Sequence, residues 1–532
     1  MNTAERQEQG RQSEYRLLLV CLAIGFGWGL LAHGPAVLHG VIAHDTLAEF
    51  DAAVFGNHWQ IQLGRVMVPV YRAIFRTAVT LPWLIGVLTL LWAGLAVYLV
   101  ARIFRLQGHW LALTLVGGVM LTNVTCTVLI STYATCMDQN LFACLLAVLA
   151  VFLWQRAGRW DLVRGAVCVG LALGLYQSFV SVTIGLVMMV LILALLGGQS
   201  FAEAMRRGLR AVGMLLGGGV LYLGLLCLML ALTGEQLTNT QNSVAMAFSG
   251  GSALEFCKLL GSTWVASCKT MVCMPTAFTA FSDVTVFYPG RLLRMAAMLI
   301  AAGVLLAGML DRRLGWKEKL LMAVLAFLMP IGLNVAHVLA HGVSHALMYY
   351  ALWLIQPFAL LLALWLAQRG GPHQNPKVRR WIRLVPVVVL CGILLDNVQV
   401  ANLAHQDNQM RMDATNALYN RVLARMESVP EYEPGQTPVV IQGRGDRQLL
   451  LPDAFEPVRN MTMQANPVIS VDKPQFLGPY FRYILQVPMV LDTEHWQQVQ
   501  TSAAMQQMPC YPDPGSVQMV EGTLLVKLGD RE

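Results

Sequence analysis

Charged side chains are scarce in this sequence. Of 532 residues, 37 are Lys or Arg and 30 are Asp or Glu, so 13% of the chain is charged whereas 56% is hydrophobic. Soluble globular domains usually carry about 25% charged residues, and the composition excludes that class. Apolar runs near the roughly 20 residues that cross a bilayer recur along the chain. They predict an all-α polytopic membrane protein.

Motifs for nucleotide chemistry are also missing. The sequence contains no P-loop, no G-x-G-x-x-G that opens a Rossmann unit and no G-x-S-x-G elbow, so it gives no support to nucleotide-driven transport. The net charge of +7 comes from short basic stretches between apolar runs, as the positive-inside rule expects. Nucleic acid is therefore not an expected partner, whereas membrane lipids are.

The apolar runs predict about eleven transmembrane helices within residues 17–400. Arginine and lysine are enriched in every second loop, which places residues 1–16 in the cytoplasm and residues 401–532 outside. The protein is expected in a bacterial inner membrane with several passes. The predicted spans are 17–38, 81–103, 110–131, 139–155, 162–177, 179–197, 211–233, 292–310, 319–340, 346–367 and 384–400.

Two long loops and the tail lie on the outer, periplasmic side in this topology. The loops cover residues 39–80 and 234–291, and the second contains Cys257, Cys268 and Cys273, which an oxidising compartment would allow to form one disulfide. The tail 401–532 is rich in polar residues. A helix over 406–426 and short β-like runs at 437–441 and 522–526 predict a small C-terminal periplasmic α/β domain.

Three carboxylates cluster in the first outer loop. Asp45, Glu49 and Asp51 follow the first apolar run within a few residues of each other. If this stretch is helical, Asp45 and Glu49 project from one face, where a pair of acids can bind a metal or let one carboxylate act as a general base. The alternative is a solvated helix at the membrane interface.

Arginines on the outer side run against the positive-inside tendency. Arg65 is interpreted as a ligand for a lipid-linked phosphate, because a guanidinium binds phosphate with two parallel hydrogen bonds. Arg72 and Arg76 lie in an amphipathic stretch over 66–79. For these two we expect headgroup anchoring of an interfacial helix.

Polar and aromatic residues at the same membrane level add candidate sugar contacts. These are Tyr133, Asp138, Tyr176 and Gln177, although each is also typical of a helix end or an aromatic belt. His337, His341 and His345 recur at intervals of four and share a face if the helix continues that far. No acid or Cys lies among them and no H-E-x-x-H occurs, so structural packing is favoured over a metal site, with His341 a candidate substrate contact.

Taken together, these residues resemble a known family. The order of His44-Asp45, Trp59, Gly64-Arg65, the 133–139 stretch and Gly174-Leu175-Tyr176-Gln177-Ser178 is similar to the serotype-converting glucosyltransferase II family of bacteria and their phages. The resemblance covers about residues 15–400. It implies a GT-C-type layout, many membrane helices with a catalytic acid in the first periplasmic loop. It also implies transfer of glucose from undecaprenyl-phosphate glucose to O-antigen.

Under this resemblance Asp45 becomes the base, Arg65 a contact of the donor phosphate and Trp59 a substrate contact. The family pattern has paired acids in the loop, whereas Thr46 follows Asp45 here, so Glu49 or Asp51 stands as the second acid or none is needed. The metal is left open: no metal ligand is assigned and a divalent cation is allowed. One base opposite the leaving phosphate predicts inversion at the anomeric carbon.

Two other functions compete with glycosyl transfer. A lipid-linked oligosaccharide flippase or another transporter would place ionisable groups near the bilayer midplane. The predicted spans are nearly free of them, and Asp396 lies toward an outer end. An O-antigen polymerase or ligase, which also has many spans and a large periplasmic loop, is excluded less firmly.

Overall fold

The computed structural model describes residues 3–39, 46–47, 57–76, 81–238, 252–273, 289–343, 345–369, 375–445, 455, 458 and 473–530. Helices dominate the part that precedes residue 428. In chain order they are α1 Thr3–His39, α2 Asn57–Gln62, α3 Val68–Phe75, α4 Pro82–Ile103, α5 Trp110–Thr122, α6 Val124–Thr132, α7 Met137–Arg156, α8 Asp161–Leu175, α9 Val180–Leu196, α10 Phe201–Thr233, α11 Ala253–Val272, α12 Gly290–Leu310, α13 Trp316–Gly332, α14 Val335–Leu339, α15 Ile355–Arg369 and α16 Pro376–Glu427.

Eight helical segments in the described part of the chain are long and apolar enough to cross a bilayer. A ninth arises if α5 and α6, which meet at a bend of 41°, count as one broken span. Two further predicted spans correspond to α8 and α13, which have only 15 and 17 residues. Each predicted span thus coincides with a helix, and the polytopic helical class is confirmed, but the number eleven is not.

Glycine lets the first two long helices approach closely. A Cβ built on Gly25 of α1 would lie 2.7 Å from the Cα of Gly94 on α4, and one on Gly94 would lie 3.1 Å from the Cα of Leu22. Small residues at such crossings allow backbones to make extensive van der Waals contact, which drives helix association in lipid. The pairing of α1 with α4 therefore depends on this glycine pair.

Leucine-rich faces remain on the outside of the bundle. On α10 they include Leu209, Leu216 and Leu232, and on α12 they include Leu299 and Leu310, all more than half exposed. In water such a continuous apolar surface would be costly, whereas hydrocarbon solvates it without penalty. The perimeter is consistent with contact to lipid.

Helix α16 links the bundle to the C-terminal domain. It has 52 residues, which corresponds to about 78 Å at 1.5 Å per residue, far longer than one bilayer crossing. The predicted tail helix over 406–426 is confirmed as helix. It is, however, the continuation of the last apolar span and not a separate element.

The tail forms a small mixed sheet. Its strands are β1 Pro438–Gln442, β2 Val490–Leu491, β3 Val517–Val520 and β4 Thr523–Lys527, in the order β2-β1-β4-β3. Strand β1 is parallel to β2 and β4, while β3 and β4 form an antiparallel hairpin. Three short helices pack nearby, α17 Pro474–Pro479, α18 Trp496–Gln500 and α19 Ala503–Gln507. The β-like runs predicted at 437–441 and 522–526 coincide with β1 and β4.

The disulfide that the sequence allowed in this segment is not formed. Cys257 and Cys268 both carry free thiols on α11, so no bridge joins them to each other or to Cys273. One turn of helix rises about 5.4 Å, so the 11-residue interval along α11 separates their α-carbons by about 16 Å. That distance is well beyond the roughly 7 Å limit for a disulfide.

Candidate functional site

The segment from Asn57 to Arg76 folds back onto the ends of the long helices. The amide N–H of Met67 donates to the carbonyl of Gly174 over 2.8 Å, and the Tyr222 hydroxyl donates to the carbonyl of Gly64 over 2.9 Å. Gly64 has φ of 79°, a left-handed conformation that glycine adopts without strain. These bonds place Arg65 beside the junction of α8 and α9.

Arg65 lies against Tyr176, another of the residues predicted to contact substrate. Its guanidinium carbon is 4.6 Å from the centre of the Tyr176 ring, a cation–π contact, and Nη1 donates to Oε1 of Gln60 over 3.2 Å. Among the described residues no carboxylate pairs with Arg65, and its Nε has no hydrogen-bond acceptor. The half-buried guanidinium thus has no counter-charge among the described residues, an environment that suits an anionic ligand.

Gln177 and Tyr222 form hydrogen bonds to the turn that carries this arginine. The Gln177 side-chain amide donates to the Leu63 carbonyl and to the Tyr222 hydroxyl, both over 3.3 Å. Gln177 was predicted as a sugar contact and faces the Arg65 turn. Tyr222, on α10, was not predicted, because a tyrosine within an apolar span gives no pattern that marks it.

Asp138 is the centre of a buried ion pair. Its carboxylate is fully buried and accepts from Nε of Arg76 over 2.9 Å, while Nη2 of the same arginine contacts the other oxygen. The Tyr71 hydroxyl donates to it over 2.9 Å and receives the indole N–H of Trp92 over 2.9 Å. Burial, and then the charge of Asp138, raise the pKa of Tyr71, so the phenol keeps the proton that it donates.

Arg72 and Arg76 do not anchor the segment to lipid headgroups, contrary to our expectation. Arg72 is buried, with its guanidinium bonded to Oε1 of Gln139 and Oδ1 of Asn57 over 3.3 Å each and to Sγ of Cys136 over 3.5 Å. Both arginines turn inward because α7 offers polar acceptors at its first turn. The side of α3 that carries these arginines therefore packs against other parts of the protein.

The remaining predicted contacts are Trp59, Tyr133 and the histidines. Trp59 on α2 and Tyr133 between α6 and α7 are both half-buried. Helix α14 ends at Leu339 and His341 is exposed with φ of 50°, so the three histidines do not share a helix face. His337 is hydrogen-bonded through Nδ1 to Oγ1 of Thr263 over 2.8 Å, a structural contact.

The predicted catalytic acids Asp45, Glu49 and Asp51 lie outside the described residues. Their neighbours Thr46 and Leu47 are described, and both are buried. Leu47 belongs to the same hydrophobic cluster as Leu418 and Tyr419 of α16. In the part of the chain that the structure describes, no three acids, histidines or cysteines are placed to hold a metal ion.

Helix α16 brings further polar groups that sequence reasoning missed. His405 contacts the His33 ring, Nε2 to Nδ1, over 2.9 Å, and the Asn408 side-chain amide donates to the Ser131 carbonyl over 3.3 Å. On the same helix, Asp407 and Arg411, one turn apart, form an ion pair over 2.9 Å. Their signal was the run of polar residues directly after the last apolar span, which we assigned only to a tail helix.

Comparison with known proteins matches this arrangement to one family. The family model described as glucosyl transferase GtrII matches residues 34–370, which include Arg65, Asp138 and Tyr176. No curated protein matches the chain. The described residues include eight helices long and apolar enough to cross a membrane. Since the matched region is well over half of the sequence, the protein belongs to the glucosyl transferase GtrII family and is a membrane-embedded glycosyltransferase.

Proposed function

We propose that the protein is an inverting glucosyltransferase of GT-C type that moves a hexose from undecaprenyl-phosphate sugar to O-antigen or another surface glycan at the periplasmic face of the inner membrane. The observation that carries the proposal is the Arg65 guanidinium on the Tyr176 ring at one end of the bundle, which pairs with no carboxylate among the described residues. Family membership supports the glucosyl class, while the lipid phosphate follows from the chemistry of the arginine.

The arginines of this segment divide into two roles under the proposal. Arg76 is neutralised by Asp138, whereas Arg65 touches only neutral groups among the described residues. A phosphate leaving group gains negative charge as the glycosidic bond breaks, and a positioned cation stabilises that charge. Arg65 is therefore the donor-phosphate contact, and Arg72, Arg76 and Asp138 are positioning residues.

The acceptor hydroxyl needs a base on the opposite side of the anomeric carbon. Asp45 takes that role, with Glu49 and Asp51 as its neighbours in the same short loop. The acceptor oxygen bonds to the anomeric carbon as the bond from that carbon to the phosphate oxygen breaks. The hydroxyl proton passes to the carboxylate and the lipid phosphate departs, with inversion at carbon.

A direct test replaces each acid and measures the product. The chain is expressed in a bacterium together with the enzyme that makes the lipid-linked glucose, and the lipopolysaccharide is analysed for an added hexose. Asp45→Asn should lower the added hexose at least a hundredfold, because general-base catalysis contributes about 10²–10⁴-fold. Glu49→Gln and Asp51→Asn, assayed beside it, separate the base from its neighbours.

Glu431→Gln is the matched control, since it removes an exposed carboxylate from the turn after α16 and should leave transfer unchanged. All variants are compared at equal membrane levels. Full transfer by Asp45→Asn would reject that residue as the base. Wild-type transfer that continues in cells without the lipid-linked donor would reject the proposed donor.

Transport is the less favoured alternative. Two charged groups inside the bundle, Arg294 on α12 and Asp396 on α16, form an ion pair of 2.6 Å in which both side chains are fully buried. A neutralised, solvent-excluded pair suits the packing of two helices better than a path for an ion or a sugar. A polymerase or ligase activity would yield longer or newly attached chains and no added hexose, and the same lipopolysaccharide analysis distinguishes them.

A further inference from the structure

A polar cavity lies at the other end of the bundle from Arg65. It has a volume of about 830 Å³, is open to the outside and is lined by α7, α9, α10, α15 and the turn after α4. Helix α4 begins beside the Arg76 segment and ends at Ile103, which lines the cavity. Its 22 residues span about 33 Å, so a single phosphate group cannot contact both the Arg65 site and this cavity.

Basic side chains crowd one wall of this cavity. Arg206, Arg207 and Arg210 come from the first turns of α10, and Arg105 and His109 come from the turn between α4 and α5. Glu203 is the only acid among the described residues of the lining. Within the described part of the chain, Arg105, Arg206 and Arg210 form no ion pair, so the wall carries a clear excess of positive charge.

Apolar side chains form another part of the lining. They include Val190 and Leu193 of α9 and Leu361 and Leu364 of α15. Trp154 joins the basic and the apolar parts: its ring contacts the Arg207 guanidinium at 5.0 Å and its indole N–H donates to the Arg207 carbonyl over 3.1 Å. A small hydrated anion gains nothing from such a lining, whereas an acyl chain does.

We propose that this cavity binds an anionic phospholipid of the membrane. Its phosphate lies between Arg105, Arg206 and Arg210, and its acyl chains pack along Val190, Leu193 and Leu361. Basic pockets between membrane helices on the side of positive loops suit anionic headgroups, because several arginines share one phosphate. The site is independent of glycosyl transfer and would remain if the proposed donor were wrong.

Native mass spectrometry of the purified full-length protein tests the proposal. Phosphatidylglycerol is titrated against zwitterionic phosphatidylcholine, with inorganic phosphate as the probe for a free anion. The wild type should bind phosphatidylglycerol at least tenfold more tightly than phosphatidylcholine. Arg206→Gln/Arg210→Gln should remove that preference, and Leu361→Trp, which fills the apolar side, should weaken binding with all arginines present.

The matched control is Arg312→Gln/Arg313→Gln, which removes two exposed arginines from the α12–α13 loop, outside the cavity lining. It should retain the preference of the wild type. Equal losses in the two double variants would overturn the site, since they would mean attraction by overall charge. Binding of inorganic phosphate as tight as that of the lipid would overturn the role of the apolar wall. Thermal unfolding of each variant separates lost binding from lost folding.

Discussion

At the scale of single residues, Arg65 and Arg76 show how the same side chain takes opposite roles eleven positions apart. Arg76 pairs with the carboxylate of Asp138, 62 residues away in sequence, and its charge is neutralised inside the protein. Arg65 meets an aromatic ring and an amide, which leave its charge intact. Whether an arginine of this segment keeps charge available for a ligand therefore depends on what its guanidinium contacts, and not on the number of arginines in the loop.

The Arg76–Asp138 pair should be costly to break from one side. Arg76→Gln leaves a fully buried carboxylate without its cation, which typically costs about 3–5 kcal/mol. In Arg76→Gln/Asp138→Asn no charge is left buried, so the double variant should regain much of the lost stability. Thermal unfolding of the detergent-purified protein measures all four members of the cycle. Losses that simply add in the double variant would show that the pair is not coupled.

At the scale of helices, close glycine contacts set the pairing of α1 with α4. In Gly25→Val the new side chain meets the Gly94 backbone at about the 2.7 Å given for Cβ, so the helices must separate. We expect a loss of about 1–3 kcal/mol from this overpacking, seen as a lower unfolding temperature.

Gly27→Val is the control for the glycine contact. It lies on the same helix, and a Cβ there meets no atom within 4 Å. This variant should unfold at the temperature of the wild type. A similar drop in both variants would mean that the effect comes from changed helix propensity and not from the α1–α4 contact.

At the scale of the whole molecule, the C-terminal domain is joined to the predicted catalytic loop. Leu47, two residues after Asp45, is buried in the cluster that α16 and the sheet share. Deletion of the tail would therefore disturb the acids as well as any function of the domain itself. Point substitutions within the domain are the more informative experiment.

A cavity of about 700 Å³ in that domain is a candidate acceptor site. It lies where the parallel strands β1 and β2 end, with Arg444 and Lys473 balanced by Glu494 and Asp530. Ligands of α/β sheets commonly bind at the carboxyl ends of strands, and a balanced polar lining suits an uncharged glycan better than a phosphate.

Glu494→Ala/Gln497→Ala should therefore reduce hexose addition to the glycan several-fold at unchanged membrane levels, because it removes two hydrogen-bonding groups from the cavity. Gln498→Ala is the control: this exposed residue follows Gln497 on α18 but does not line the cavity. The fraction of modified repeat units, measured on purified lipopolysaccharide, gives the result. Modification at the wild-type level by both variants would show that this cavity does not contribute to acceptor recognition.

The sequence by itself determined the membrane class, the approximate position of each apolar span and the two strands β1 and β4, because hydropathy and β propensity act over neighbouring residues. It did not predict α11, which lies in the segment that we expected to be an outer loop. It also singled out Arg65, Tyr176 and Gln177 as candidate ligand contacts, but not their contact with each other. Tertiary structure alone decided that Arg72 and Arg76 turn inward, that Tyr222 supports the Arg65 turn and that α16 runs unbroken into the tail. Each of these contacts joins residues that are far apart in the chain. Because an unpaired buried charge is costly, such long-range contacts decide which polar side chains are paired inside the protein and which remain available to a ligand.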